Sequence, residues 1–178
     1  IFRKSNIIKT AIRWRAYLMK KHKKTNVMRM LDQAHIPYET KSCEYTEEDL
    51  SGIHTANILG YSPNMVFKTI VTQGDKTGPI VFCLPSCYEL NLKTAAKVSG
   101  NKKVEMIPVK NLLTLTGYVR GGCSPIGMKK EFPTYIDSHC KNHTLISISA
   151  GQRGMQVLIS PQALIQFIHA IVVEITKK

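Results

Sequence analysis

Val66-Phe67-Lys68-Thr69-Ile70-Val71-Thr72 is followed by the cluster Gly74-Asp75-Lys76-Thr77-Gly78 and then by Pro79-Ile80-Val81-Phe82-Cys83-Leu84. Two runs rich in branched and aromatic residues, separated by glycines and polar residues, predict a β-hairpin. Upstream, Thr25 or Asn26 can cap a helix carrying Val27, Met30, Leu31 and Ala34 on one face. Pro37 disfavours helical geometry at Ile36 and closes that helix. Tyr38 to Tyr45 reads as a strand, Glu47-Glu48-Asp49 as an acidic loop. Ser51 caps a short helix through Ile53, Ala56 and Leu59, which Gly60 stops.

Downstream of the hairpin, Asn91 caps a helix over Leu92 to Val98. Lys103 to Ile107 is strand-like and Val109 to Leu115 is helical. Thr134 to Ile136, Thr144 to Ser149 and Met155 to Ile159 are further strands. Ser160-Pro161 opens a last helix, with Leu164, Phe167, Ile168, Ile171 and Val172 as its buried face. Strands and helices are interspersed and hairpins are frequent. The fold class expected is therefore α+β, with a mixed, largely antiparallel sheet and flanking helices.

The 178 residues fit one domain, expected over 25–178, preceded by a basic leader over 1–24. The formal charge of +13 is concentrated in that leader. Residues 1–24 hold nine basic residues, from Arg3 to Lys24, and no acid, which leaves +4 (13 less 9) for the rest. The domain is thus mildly basic, which fits an RNA ligand without requiring one. In the leader, Ile7, Ala11, Trp14 and Leu18 form one helical stripe amid basic residues. Such a stripe serves a membrane surface, a tRNA-binding arm or a transit peptide. It also fits an appended or mobile stretch, with Met19 as an alternative start. No segment reaches the ~18 continuous apolar residues of a membrane span. Cys43, Cys83, Cys87, Cys123 and Cys140 are odd in number and contain no CxxC pair, so reduced thiols and a cytoplasmic setting are expected.

Three segments are chemically unusual. Strand alternation puts Lys68 on one side with Val66 and Ile70, and Phe67 with Thr69 on the other. A lysine there either snorkels to the surface at a sheet edge or meets an anion, and pattern alone leaves both open. Gly117-Tyr118-Val119-Arg120-Gly121-Gly122-Cys123-Ser124-Pro125-Ile126-Gly127 is a tightly specified loop. Its exposed N–H groups suit a phosphate or carbonyl oxygen, or the loop is an ordinary turn. It is neither a Walker A motif nor a dinucleotide fingerprint. Ser149-Ala150-Gly151-Gln152-Arg153-Gly154 is longer than a two-residue hairpin loop and offers a hydroxyl and a guanidinium. Asp137, His139, Cys140 and His143 fit no standard zinc spacing. Cys83 and Cys87 suit packing and a turn. Cys123 lies within the glycine loop, but no base can be assigned to activate it.

In this order, Ala34-His35-Ile36-Pro37-Tyr38-Glu39, Val66-Phe67-Lys68-Thr69, Leu90-Asn91-Leu92-Lys93, Lys102-Lys103-Val104, Thr116 to Gly127, Pro133-Thr134-Tyr135-Ile136-Asp137 and Ser149 to Gly154 resemble the YbaK/EbsC family. That family is related to the editing domain inserted in bacterial prolyl-tRNA synthetases. The match runs from about Thr25 to Val173. The resemblance implies deacylation of a mischarged aminoacyl-tRNA, Cys-tRNA(Pro) and also Cys-tRNA(Cys). Proline tRNA is the implied partner, with prolyl-tRNA synthetase beside it and no membrane, cofactor or metal.

The resemblance makes Lys68 the catalytic centre. Thr69, Tyr45, Gly121 and Ser149 become pocket residues, and the loops add Gly122, Ser124, Pro125, Gly127, Gly151 and Arg153 as substrate-binding candidates. Gln152 and Gln156 stand where other members carry a basic residue and an aspartate. For cysteinyl substrates the implied chemistry is substrate-assisted: the cysteine thiol attacks its own ester and leaves as a thiolactone. Alternatives are an Ala-tRNA(Pro) deacylase or a noncatalytic tRNA- or synthetase-binding module on the same fold.

Overall fold

The computed structural model describes residues 23–177. The leader stripe of Ile7 to Leu18 lies outside the described residues. Helix α1 (Asn26–Gln33) is capped by Thr25, whose hydroxyl accepts the Met28 N–H at 3.3 Å. Strand β1 (Tyr38–Ser42) follows, then α2 (Gly52–Leu59), capped by Ser51 and closed by Gly60 at φ +69°. The hairpin forms as β2 (Phe67–Gly74) and β3 (Gly78–Pro85), in continuous antiparallel register from Phe67↔Pro85 to Gly74↔Gly78. Next come α3 (Leu92–Val98), β4 (Val104–Met106), α4 (Val109–Thr116) and β5 (Thr134–Asp137). A 3-10 turn (Ser138–Asn142), β6 (Ile146–Gln152), β7 (Met155–Ile159), α5 (Pro161–Phe167) and β8 (Ile171–Val173) complete the described residues.

The strands form two sheets, ordered β1-β7-β6 and β4-β2-β3-β5-β8. Only the β3–β5 and β5–β8 pairs are parallel. The expected α+β class with largely antiparallel pairing therefore holds, divided between two sheets. They meet where β2 begins: Val66 forms a parallel bridge with Ser147, and the Ser147 N–H donates to the Met65 carbonyl at 2.9 Å. The main core lies on the side carrying Phe67, Val71, Ile146, Ile148, Val157 and Ile159, and α1 closes it with Val27 and Leu31. A second cluster packs α3 against Ile80, Phe82 and Leu84.

Three local expectations are corrected. Tyr38 to Tyr45 is a strand only as far as Ser42, after which Cys43 keeps one bond, from its N–H to the Gly154 carbonyl at 2.9 Å. Ser149 to Gly154 is not a long loop. Gln152 pairs with Met155 across a two-residue turn, and an irregularity between Ser149 and Gln152 absorbs the extra length. The last helix stops at Phe167. His169 adopts φ +51°, which ends helical geometry, and Ile171–Val173 becomes a strand beside β5.

Candidate active site

Lys68 is half-buried on β2, and its ammonium donates to the Ser86 carbonyl at 3.2 Å. Burial lowers its pKa from the ordinary lysine value, partly offset by Glu89 and Cys87. Ser86 is held by two bonds: its N–H donates to the Val66 carbonyl at 2.7 Å and its hydroxyl to the Pro63 carbonyl at 2.9 Å. The lysine thus rests on a fixed carbonyl beside the start of α2, where Gly52 packs so closely that an added Cβ would lie 2.6 Å from Ser86 Cβ.

The bridge between Val66 and Ser147 sets what else shares this face. Residues paired across neighbouring strands point to the same side, and alternation carries that relation two residues on. Lys68 on β2 and Ser149 on β6 therefore project to one side, opposite the core residues Phe67 and Ile148. Ser149 is buried, and its hydroxyl oxygen accepts the Gly151 N–H at 3.2 Å, leaving the hydroxyl hydrogen free to donate. Thr69 points the other way, its hydroxyl 4.0 Å from Cys83 Sγ.

The glycine loop divides. Gly121 has φ +83°, and a Cβ there would lie 3.1 Å from the Leu50 side chain. Gly122 abuts the β6–β7 turn, where a Cβ would lie 3.1 Å from the Arg153 nitrogen. The left-handed backbone at Gly121 and the close backbone approach at Gly122 both favour glycine. Arg153 ties three segments together: Nε donates to the Arg120 carbonyl at 2.8 Å and Nη1 to Glu47 at 2.5 Å. Tyr45, 48% exposed, lies over the same turn, against Gly154. The segment 45–52 thus links the glycine loop, through Leu50, to Ser86 and Lys68, through Gly52.

The other half of the loop turns inward. Ser124 is fully buried and its hydroxyl accepts the Ile126 N–H at 3.3 Å. Tyr118 donates to the Ile126 carbonyl at 2.5 Å and packs against both Gly127 and Gly151. Pro125 and Gly127 line a separate hollow of about 480 Å³ with Met30, Phe132 and Phe167. Of the residues singled out from the sequence, the structure groups Lys68 with Ser149, and Tyr45 with Gly121, Gly122 and Arg153. It sets Thr69, Ser124, Pro125, Gly127 and Gly151 on the core side.

The Cys123 thiol is pushed up to about 12 by burial, so it is protonated near neutrality. Among the described residues no group of three or more His, Cys, Asp or Glu is placed to hold a metal. Asp137 is occupied in the fold: it is fully buried and accepts the His139 N–H at 3.0 Å and the Ile175 N–H at 2.9 Å. No helix among the described residues is long and apolar enough to cross a membrane.

Residues 49–167 match the family model described as an aminoacyl-tRNA editing domain. An Enterococcus faecalis protein, provisionally named Cys-tRNA(Pro)/Cys-tRNA(Cys) deacylase EbsC, is 48% identical over 159 residues, covering 89% of this chain and 97% of that protein. A proline–tRNA ligase of Brachyspira hyodysenteriae is 22% identical over 121 residues, and the match spans 21% of that longer enzyme. Among solved structures, one provisionally described as a trans-editing enzyme for prolyl tRNA synthetase superimposes with a TM-score of 0.73 at 20% identity, covering 85% of this chain and 95% of that one. With its two sheets, its half-buried Lys68 and its glycine loop closed on the β6–β7 turn, the chain belongs to the aminoacyl-tRNA editing domain family.

Proposed function

We propose that this protein is an aminoacyl-tRNA deacylase that removes cysteine wrongly attached to proline tRNA, acting in trans in the cytoplasm beside prolyl-tRNA synthetase. The observation that carries this reading is Lys68, a half-buried cation on the same side as the Ser149 hydroxyl, while the thiol of the glycine loop, Cys123, is held protonated by burial. The name and the 48% identity of the Enterococcus relative support the substrate class.

In this reading the substrate supplies the nucleophile. Its cysteine sulfur bonds to the ester carbonyl carbon, the bond from that carbon to the terminal ribose oxygen breaks, and the thiol proton ends on the ribose oxygen. Free tRNA and a cyclic thiolactone leave, and water opens the thiolactone to cysteine. Effective molarities of about 10⁵–10⁸ M for well-oriented intramolecular attack make a protein nucleophile unnecessary. Lys68 supplies positive charge where the carbonyl and ribose oxygens become negative, and Ser149 a fixed donor. Tyr45, Gly121, Gly122 and Arg153 shape the mouth of the site.

The test is a release assay on proline tRNA charged with cysteine, alanine or proline. Cysteine should be released rapidly and proline left in place. Alanine released as fast as cysteine would move the function to an Ala-tRNA(Pro) deacylase and contradict the thiol mechanism.

A further inference from the structure

Gln156 interrupts the apolar run of β7 and is only 6% exposed. It pairs with Ser149 across β6–β7, so it stands on the Lys68 side of the sheet. Its carbonyl oxygen accepts the Ser147 hydroxyl at 3.2 Å, while its amide nitrogen has no protein partner among the described residues. No fully enclosed side-chain nitrogen or oxygen among those residues lacks a partner. The amide nitrogen must therefore reach accessible space, and strand alternation directs it to the side occupied by Ser149 and Lys68.

We infer that Gln156 is a substrate-contacting residue whose amide N–H donates to the ester carbonyl oxygen and holds it as negative charge develops there. This rests on the proposed deacylase reading. An NH₂ group only donates, so among the polar groups of an aminoacyl ester it suits an acceptor and not the α-ammonium. The carbonyl oxygen is the acceptor whose charge grows during attack. A donor of this kind acts on the chemical step more than on binding. Ser147 fixes the amide's orientation by occupying its oxygen.

Gln156→Glu separates this role from a structural one. The carboxylate still accepts from Ser147, and only the outward NH₂ is replaced. Gln156→Met removes the donor without adding charge near Lys68. Single-turnover release from Cys-tRNA(Pro) should slow by about 10²-fold or more in both variants. The enzyme concentration giving half-maximal rate should change little, and the Gln156→Glu melting temperature should stay near that of the wild type. If the glutamate variant does not fold, the methionine variant carries the test. Either folded variant reacting at the wild-type rate overturns the inference while leaving the deacylase reading intact. A wild type that releases no amino acid from any charged tRNA overturns both.

Discussion

β2, β6 and β7 present two faces that differ in chemistry. One carries Phe67, Val71, Ile148, Ala150 and Val157, which are buried and apolar. The other carries Lys68, Ser147, Ser149 and Gln156, which are polar and partly or wholly buried, set among the apolar Val66, Ile70 and Leu158. The same backbone serves both, because successive side chains alternate. The apolar face stabilises the fold through lost water contact and close packing. The four polar side chains gain little of that, and each must stay paired or accessible. Substitutions on the two faces should therefore separate activity from stability.

The largest activity effect is expected at Lys68. Lys68→Ala should slow deacylation by about 10²–10³-fold, the range for losing a charge-stabilising group, with the protein still folded. Stability should move the other way. Burial lowers the Lys68 pKa, so the folded state binds this proton less tightly than the unfolded chain. The penalty is full below the lowered folded-state pKa and fades as pH rises from there towards the ordinary lysine value of 10.5. Lys68→Met should therefore match or exceed the wild-type melting temperature at pH 7, with the difference shrinking as the pH is raised. A clear drop in melting temperature at pH 7 would place Lys68 with the fold and not with the site.

On the apolar face the pattern inverts. Ile148 is fully buried, and Ile148→Ala should cost about 2–5 kcal/mol in denaturant unfolding. Activity per folded molecule should stay within a few-fold of the wild type. If activity instead collapses in molecules still folded, the two faces are not separable.

Arg153 sits between these extremes. Arg153→Ala removes the bond to the Arg120 carbonyl and the pair with Glu47, so the mouth of the site loosens. KM should rise by about tenfold, worth roughly 1.4 kcal/mol, with kcat less affected. Glu47 is 71% exposed at its side chain, so its pair with Arg153 alone contributes less than about 1 kcal/mol. The smallest effect belongs to Cys123. Its thiol is protonated and held among core residues, so Cys123→Ser should keep most activity towards Cys-tRNA(Pro). An inactive but folded serine variant that still binds tRNA would make Cys123 the nucleophile.

Local chemistry made much of this legible in the sequence. Thr25, Ser51 and Asn91 all cap the helices expected of them, and the 66–84 hairpin forms in register. What escaped depends on distant pairing. Ile171, Val172 and their predecessors fit a helical spacing, yet Ile171–Val173 pairs with β5, a partner that no local pattern identifies. The Ser149–Gly154 stretch reads as a loop because its glycines and polar residues conceal a strand continued across an irregularity.

The site divides in the same manner. Lys68 stands out as a charge in an apolar run, and the glycine loop by composition. The separation of Gly121 and Gly122 from Gly127 depends on Tyr118 turning inward, which spacing does not encode. Gln156 offered two signals, a lone amide within Met155-Gln156-Val157-Leu158-Ile159 and a place where other members of the family carry an aspartate. Its meaning required the bridge from Val66 to Ser147 that brings β6 and β7 beside Lys68.

In the proposed reaction the decisive thiol belongs to the substrate. The most direct measurement compares single-turnover release of cysteine and serine from the same proline tRNA by the wild-type protein. Serine differs by one atom and fills nearly the same space, but its hydroxyl is a far weaker nucleophile at neutral pH. Cysteine should be released rapidly and serine severely slowly, with both charged tRNAs bound comparably. Release of serine at the rate of cysteine would contradict that reaction and assign the attack to water or to a group of the protein.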